Sequence, residues 1–126
     1  MKKTVMFVCV FLVALSLAAA DQTEKPKSLY QRLGGYDAIA AVTDDFIGRL
    51  ATDKTLAKFF AGHSQDSLKK IRMHVIDLIC ATAGGPCVYT GRDMKTSHQG
   101  LGISEAEWNL GVTHLTATLK KDIVEK

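Results

Sequence analysis

The sequence lacks the features that mark specialised chains. It has only 2 prolines against 10 glycines in 126 residues, with 47% hydrophobic and 23% charged residues. Those proportions exclude collagen-like, coiled-coil and disordered chains and leave an ordinary globular composition. Charge of one sign is also missing: 16 basic and 13 acidic residues give a formal net charge of +3. That balance is too mild for a nucleic-acid binder, and no run of five like charges forms a basic arm or an acidic tail. There is no internal repeat and no convincing period-two alternation, so strands are not expected and the fold class is all-α. The length allows one domain.

Several chemistries are missing as well. Neither an H-E-x-x-H motif nor a Cys-His zinc spacing joins His63, His74, His98 and His114, which argues against structural zinc. There is no C-x-x-C-H, so covalent c-type attachment of haem through paired thioethers is excluded. No Ser/His/Asp or Cys/His/Asn set stands out, although linear spacing does not reveal such triads.

What is present begins with an address. Met1-Lys2-Lys3 is a short positive start, Val5 to Leu15 is apolar, and Ser16-Leu17-Ala18-Ala19-Ala20 closes the stretch with an A-x-A end. These are the three parts of a secretory signal peptide covering residues 1–20. An uncleaved anchor is the rival, but the apolar stretch sits at the short limit of the roughly 17–25 residues that span a bilayer. Cleavage would leave a chain starting at Asp21, with no membrane attachment, in an oxidising compartment such as a bacterial periplasm. It would also remove Lys2, Lys3 and Cys9, leaving Cys80 and Cys87. The spacing leaves open whether these two pair or remain free thiols.

Residues 21–27 are polar, contain Pro26 and read as a frayed leader. From there helical periodicity dominates. Ser28 caps a short helix to Leu33, stopped by Gly34-Gly35. A second helix spans about Tyr36 to Ala51, with Ile39, Val42, Phe46 and Leu50 on one face. A helical turn from Lys54 to Phe60 precedes a helix from about Ser64 or Asp66 to Thr82. Its stripe is Leu68, Ile71, Val75, Leu78 and Thr82, and Gly84-Gly85-Pro86 ends it. One short helix fits around Arg92 to Ser97. Ser104-Glu105-Ala106-Glu107 is a capping box opening a last helix, with Trp108, Val112, Leu115 and Leu119 as its stripe.

Spacing alone makes His98 a histidine at a helix end, where a cation meets the helix dipole favourably. His74 falls at the edge of an apolar stripe, usually the place of an amphipathic filler. Two histidines able to face one apolar interior are compatible with haem without establishing it.

Five stretches carry a family resemblance: Leu29-Tyr30-Gln31-Arg32-Leu33-Gly34-Gly35; Asp44-Asp45-Phe46; Phe59-Phe60-Ala61-Gly62; Gly84-Gly85-Pro86 with Tyr89-Thr90-Gly91-Arg92-Asp93-Met94; and His98-Gln99-Gly100-Leu101-Gly102-Ile103. Together, in order over about ninety residues, they resemble a group I truncated haemoglobin, the two-over-two globin. The resemblance implies a truncated globin domain at residues 28–126 and haem b as cofactor. It implies His98 as the proximal iron ligand and Phe60 as the wedge beside the haem. Phe46, Phe59, Leu68, Met94, Leu101, Ile103 and Trp108 are the expected apolar lining.

The distal side departs from the family pattern. Ile47 stands where many members carry a tyrosine that hydrogen-bonds the gas ligand. Val75 stands in place of an assisting glutamine, and Ile71 occupies a further ligand-facing position. A polar cage is therefore largely missing, which implies faster oxygen loss and easier autoxidation. His74 falls where some cyanobacterial and algal relatives carry a second axial histidine, so His98 and His74 are both candidate metal ligands. The chain also runs from Leu119 straight into Lys120-Lys121-Asp122-Ile123-Val124-Glu125-Lys126, as though most of the family's last helix were deleted. A second copy of the chain covering that gap is the corresponding expectation.

The functional expectation is an exported haem protein binding O₂, NO or another diatomic gas, served by a reductase. NO dioxygenation or peroxide turnover would be side activities of the cofactor. A bis-histidyl electron-transfer or redox-sensing domain is one alternative, and a haem-free helical interaction module is another.

Overall fold

A computed structural model describes residues 24–125, and the stretch read as a signal peptide lies outside the described residues. Residues 24–27 carry no regular structure and are exposed. The elements that follow are α1 (Leu29–Leu33), α2 (Gly35–Thr52), a 3₁₀ turn (Ala57–Phe59), α3 (Gln65–Thr82), α4 (Met94–His98), α5 (Glu105–Leu119) and a π-type turn (Lys120–Val124). No strand occurs among the described residues, and no helix there is long and apolar enough to cross a membrane.

The helix boundaries follow local chemistry. Ser28 and Gln31 close a capping box on α1, and Ser104 and Glu107 close another on α5. Ser64 caps α3 by accepting from the Ser67 N–H, and Asp93 caps α4 by accepting from the Thr96 N–H. Each such cap satisfies an orphan N–H and contributes about 1 kcal/mol. Gly34, at φ +100°, ends α1 and lets α2 set off in a new direction one residue later. A side chain there would face the left-handed penalty that glycine avoids.

The core sits at one end of the molecule. Ile39, Ile76 and Cys80 are fully buried together, with Tyr30, Leu33, Ile79 and Cys87 packed around them. Burial of each large aliphatic side chain contributes about 1.5–3 kcal/mol. Gly85 serves close approach rather than an unusual dihedral: a Cβ there would lie 2.4 Å from the Tyr30 ring and 2.7 Å from Cys80 Sγ. The Tyr30 N–H donates to the Ala83 carbonyl at 2.8 Å, and Cys80 is disulfide-bonded to Cys87 with a Cα–Cα distance of 5.7 Å. The pairing left open by spacing is thus made, and the α3–α4 loop is stapled to the core.

Helix α2 packs on both α3 and α5, whereas α3 and α5 are not packed on each other. Their separation opens a cavity of about 850 Å³. The stripes therefore divide differently from the expectation. On α3 the core-facing residues are Ile76 and Cys80, while Ile71, Val75 and Leu78 face the cavity and Thr82 is exposed. On α5 the buried residue is Thr118, its hydroxyl donating to the His114 carbonyl at 2.9 Å. Trp108 and Val112 of its apolar stripe are 49% and 48% exposed because they line the same cavity.

Ion pairs tie α2 to α3 and to the π-type turn. Arg72 on α3 holds Asp44 on α2, with Nη2 to Oδ2 at 2.9 Å. Asp45 on α2 receives Arg49 at 3.2 Å and Lys121 of the π-type turn at 3.1 Å, which returns the chain after α5 to α2. Such exposed pairs each contribute little, about 0–1 kcal/mol.

Candidate functional site

The cavity walls come from every element between α2 and α5. Phe46, Ile47 and Leu50 of α2 face it, as do Phe59 and Phe60 from the 3₁₀ turn and the residue after it. Ile71, His74 and Val75 of α3 form another wall. Met94 and His98 of α4, then Leu101, Ile103 and Trp108, complete it. Of the residues singled out from the sequence, Leu68 alone is not brought there. It sits half-buried in the first turn of α3, one turn short of the cavity. Spacing could not separate it from Ile71 and Val75, because all three share one side of the helix.

Other lining residues were not singled out as site residues. Leu50, Leu78, Val112 and Leu115 lie there, and helical periodicity from Ile47, His74 and Trp108 points to all four. Tyr89, Thr90, Gly91 and Arg92 belong to a loop with no period, so only the tertiary fold places them in the wall.

The His98 ring is held by two contacts. Its Nδ1–H donates to the Met94 carbonyl oxygen at 2.7 Å, one helical turn back. A carbonyl cannot donate, so the proton resides on Nδ1 and the Nε2 lone pair stays available. The ring also rests edge-to-face on Trp108, with centroids 5.2 Å apart at 84°. A histidine that donates its second nitrogen to a backbone carbonyl is the arrangement that orients imidazole metal ligands. On its far side, Lys95, Gln99 and Trp108 wall a shallower, open depression.

His74 enters the cavity from α3. Its Nδ1 is buried without a hydrogen-bond partner, and its ring meets Tyr89 at 6.0 Å and 84°. An unpaired buried ring nitrogen costs about 1–3 kcal/mol. Ile47, Ile71 and Val75 line the same cavity and carry no side-chain donor.

The turn bearing Phe59 and Phe60 is fixed by charged contacts. Asp53 Oδ1 accepts the Thr55 N–H at 2.8 Å and the Leu56 N–H at 3.2 Å, while Oδ2 meets His114 Nε2 of α5 at 2.9 Å. The hydrogen bond from His114, then the Thr55 N–H, hold the Asp53 carboxyl below its usual range. Lys58 pairs with Glu107 of α5, and that bond, followed by the Ser104 N–H, lowers the Glu107 carboxyl likewise.

The donor set fits a macrocyclic iron group and little else. No cluster of three or more His, Cys, Asp or Glu among the described residues could hold a bare metal ion. Both described cysteines are tied in the disulfide. There remain three imidazoles lining a mainly apolar cavity, His63, His74 and His98, a nitrogen donor set that suits the iron of haem.

The comparisons agree with this geometry. Residues 28–126 match the model of the family described as bacterial-like globin. The chain is 34% identical over 105 residues to a group 1 truncated hemoglobin from Mycolicibacterium paratuberculosis, covering 83% of this chain and 75% of that protein. The chain belongs to the group 1 truncated haemoglobins. Among solved structures, the truncated hemoglobin of Tetrahymena pyriformis in the Fe(III) form superposes with a TM-score of 0.66 at 25% identity, covering 75% of this chain and 79% of that one. The 2/2 hemoglobin of Synechococcus sp. PCC 7002, solved in the cyanomet state with covalently attached heme, gives a TM-score of 0.67 at 26% identity, covering 75% and 78%. Haem is the cofactor of this family, with a gas ligand at its iron, and the haem-free module is set aside. In this truncated haemoglobin the half-exposed Trp108 and Val112 line the cavity between α3 and α5.

Proposed function

We propose that this truncated haemoglobin holds haem b through His98 Nε2 and binds a diatomic gas at the haem iron. The observation that carries the reading is the His98 Nδ1–Met94 carbonyl bond, which leaves Nε2 as a fixed acceptor at the cavity wall. When bound, haem supplies reversible gas ligation and one-electron chemistry at its iron. The protein's part is to exclude water with Phe46, Phe59, Phe60 and Leu101, and to keep the distal face apolar with Ile47, Ile71 and Val75. An apolar face offers a polarised ligand no hydrogen bond, so retention of O₂ is weak and a reductase partner has a role in restoring ferrous iron. Purified protein should take up haem with a Soret band that His98→Ala abolishes or strongly weakens. Undiminished uptake by that variant refutes the assignment.

A second reading rests on the place of His74, which lines the same cavity as His98. His74 Nε2 would then be a second iron ligand beside His98, an arrangement suited to electron transfer or redox sensing. A low-spin six-coordinate spectrum lost in His74→Ala supports it, whereas a five-coordinate or water-bound wild-type spectrum refutes it.

We further infer export to an oxidising compartment such as a periplasm. The signal-like residues 1–20 support this, as does the Cys80–Cys87 bond, a kind of crosslink that persists in such compartments. The mature chain recovered from that fraction should begin at Asp21; an intact Met1 in the cytoplasm would refute export.

A further inference from the structure

Tyr89 also lines the cavity. It lies in the α3–α4 loop, two residues past Cys87, and its ring is the aromatic neighbour of His74, with centroids 6.0 Å apart at 84°. Three independent contacts hold it. Its hydroxyl donates to the Arg92 carbonyl oxygen. Its ring packs against Gly91, where a Cβ would come within 2.4 Å of the phenol oxygen and 2.6 Å of Cε2 and Cζ. The loop that carries it is stapled to the buried end of α3 by the Cys80–Cys87 bond. A side chain with this many restraints is not merely filling a loop.

His74 needs such a neighbour. Its Nδ1 is buried and unpartnered, so no hydrogen bond sets the ring's rotation. A histidine on a helix otherwise samples several rotamers, and each one excluded by packing reduces the entropy lost on ligation. The edge-to-ring contact with Tyr89 supplies that restraint.

We propose that Tyr89 is a positioning residue that, anchored by the disulfide-stapled loop, preorganises His74 for the iron. This rests on the proposed ligation by His74. Tyr89 touches neither iron nor gas ligand in this role and acts through the His74 ring alone.

The test is the fraction of six-coordinate, low-spin haem in the haem-loaded ferric protein, compared among wild type, His74→Ala, Tyr89→Leu and Tyr89→Phe. Tyr89→Leu should lower the ratio of His74-ligated to unligated iron about two- to tenfold, the weight of one lost aromatic pair. Tyr89→Phe keeps the ring and should rescue most of that ratio. The double variant Cys80→Ala/Cys87→Ala leaves both rings intact but frees the loop, and should lower the ratio about twofold or more. If Tyr89→Leu does not take up haem, the double variant decides. An unchanged ratio in whichever variants take up haem overturns the proposal while leaving His74 as a ligand. Coincident wild-type and His74→Ala spectra overturn the ligation itself, and this inference with it.

Discussion

Reducing the Cys80–Cys87 bond should cost this small domain a large part of its stability. The bond spans a sequence separation of seven, and loop-closure entropy for so short a loop is about 2.4 kcal/mol at 25 °C. No compensating relaxation is available, because Cys80 is fully buried against Ile39 and Ile76 and the site beside Gly85 has no room for even one more carbon. For a domain of roughly a hundred residues, a loss of that size lowers the melting temperature by about 10–20 °C. The assay is equilibrium urea unfolding followed by far-ultraviolet circular dichroism, at fixed haem loading, with and without a dithiol. The titration carries the protein through its unfolded state, so the dithiol reaches the buried sulfur. The expected result is a lower midpoint with little change in slope. A midpoint shifted by the equivalent of less than about 0.5 kcal/mol would refute the reasoning, since the crosslink would then be constraining an already ordered loop.

Two further outcomes follow from the site. Ile47→Tyr should place a hydroxyl where the distal face has none, slowing O₂ dissociation about three- to tenfold, the worth of one hydrogen bond; stopped-flow displacement by CO measures it, and an unchanged rate refutes the apolar-face account. The carboxyls of Asp44, Asp45, Asp53 and Glu107 are all lowered, first by Arg72, Arg49, His114 and Lys58 respectively. Between the lowered values and about pH 5 the unfolded chain binds more protons than the folded one, so this stability is fully present above about pH 5 and is lost as pH falls through the lowered values. Asp53→Asn should give a shallower acid limb in urea unfolding between about pH 3 and 5, and an identical slope would remove Asp53 from this account.

Much of the helical framework was legible because it is local. Ser28, Ser64 and Ser104 start helices through contacts three residues away, and Gly34 and Gly84 end them through a backbone geometry that few other residues adopt. The helix expected at about Arg92 to Ser97 begins instead at Met94, because the Asp93 carboxylate captures the Thr96 N–H and hydroxyl and so makes itself the cap. The turn at Lys54 to Phe60 shortens to Ala57–Phe59, since Asp53 Oδ1 takes the N–H groups of Thr55 and Leu56 ahead of it. Periodicity identified apolar faces correctly but could not say what each face meets. Ile71 and Ile76 are equally apolar, and only the packing of α2 between α3 and α5 makes one a cavity wall and the other core.

By itself, then, the sequence determined an all-α chain, its helix ends and, through family resemblance, the candidate ligands His98 and His74. These depend on contacts within a few residues, or on motifs read in order. The tertiary structure decided that Cys80 meets Cys87, that Leu68 stays out of the site and that Tyr89 stands beside His74. It also decided that the stripe of α5 faces a cavity. Each of those depends on which surfaces meet in space, a quantity set by burial and close approach across the whole chain rather than by local spacing.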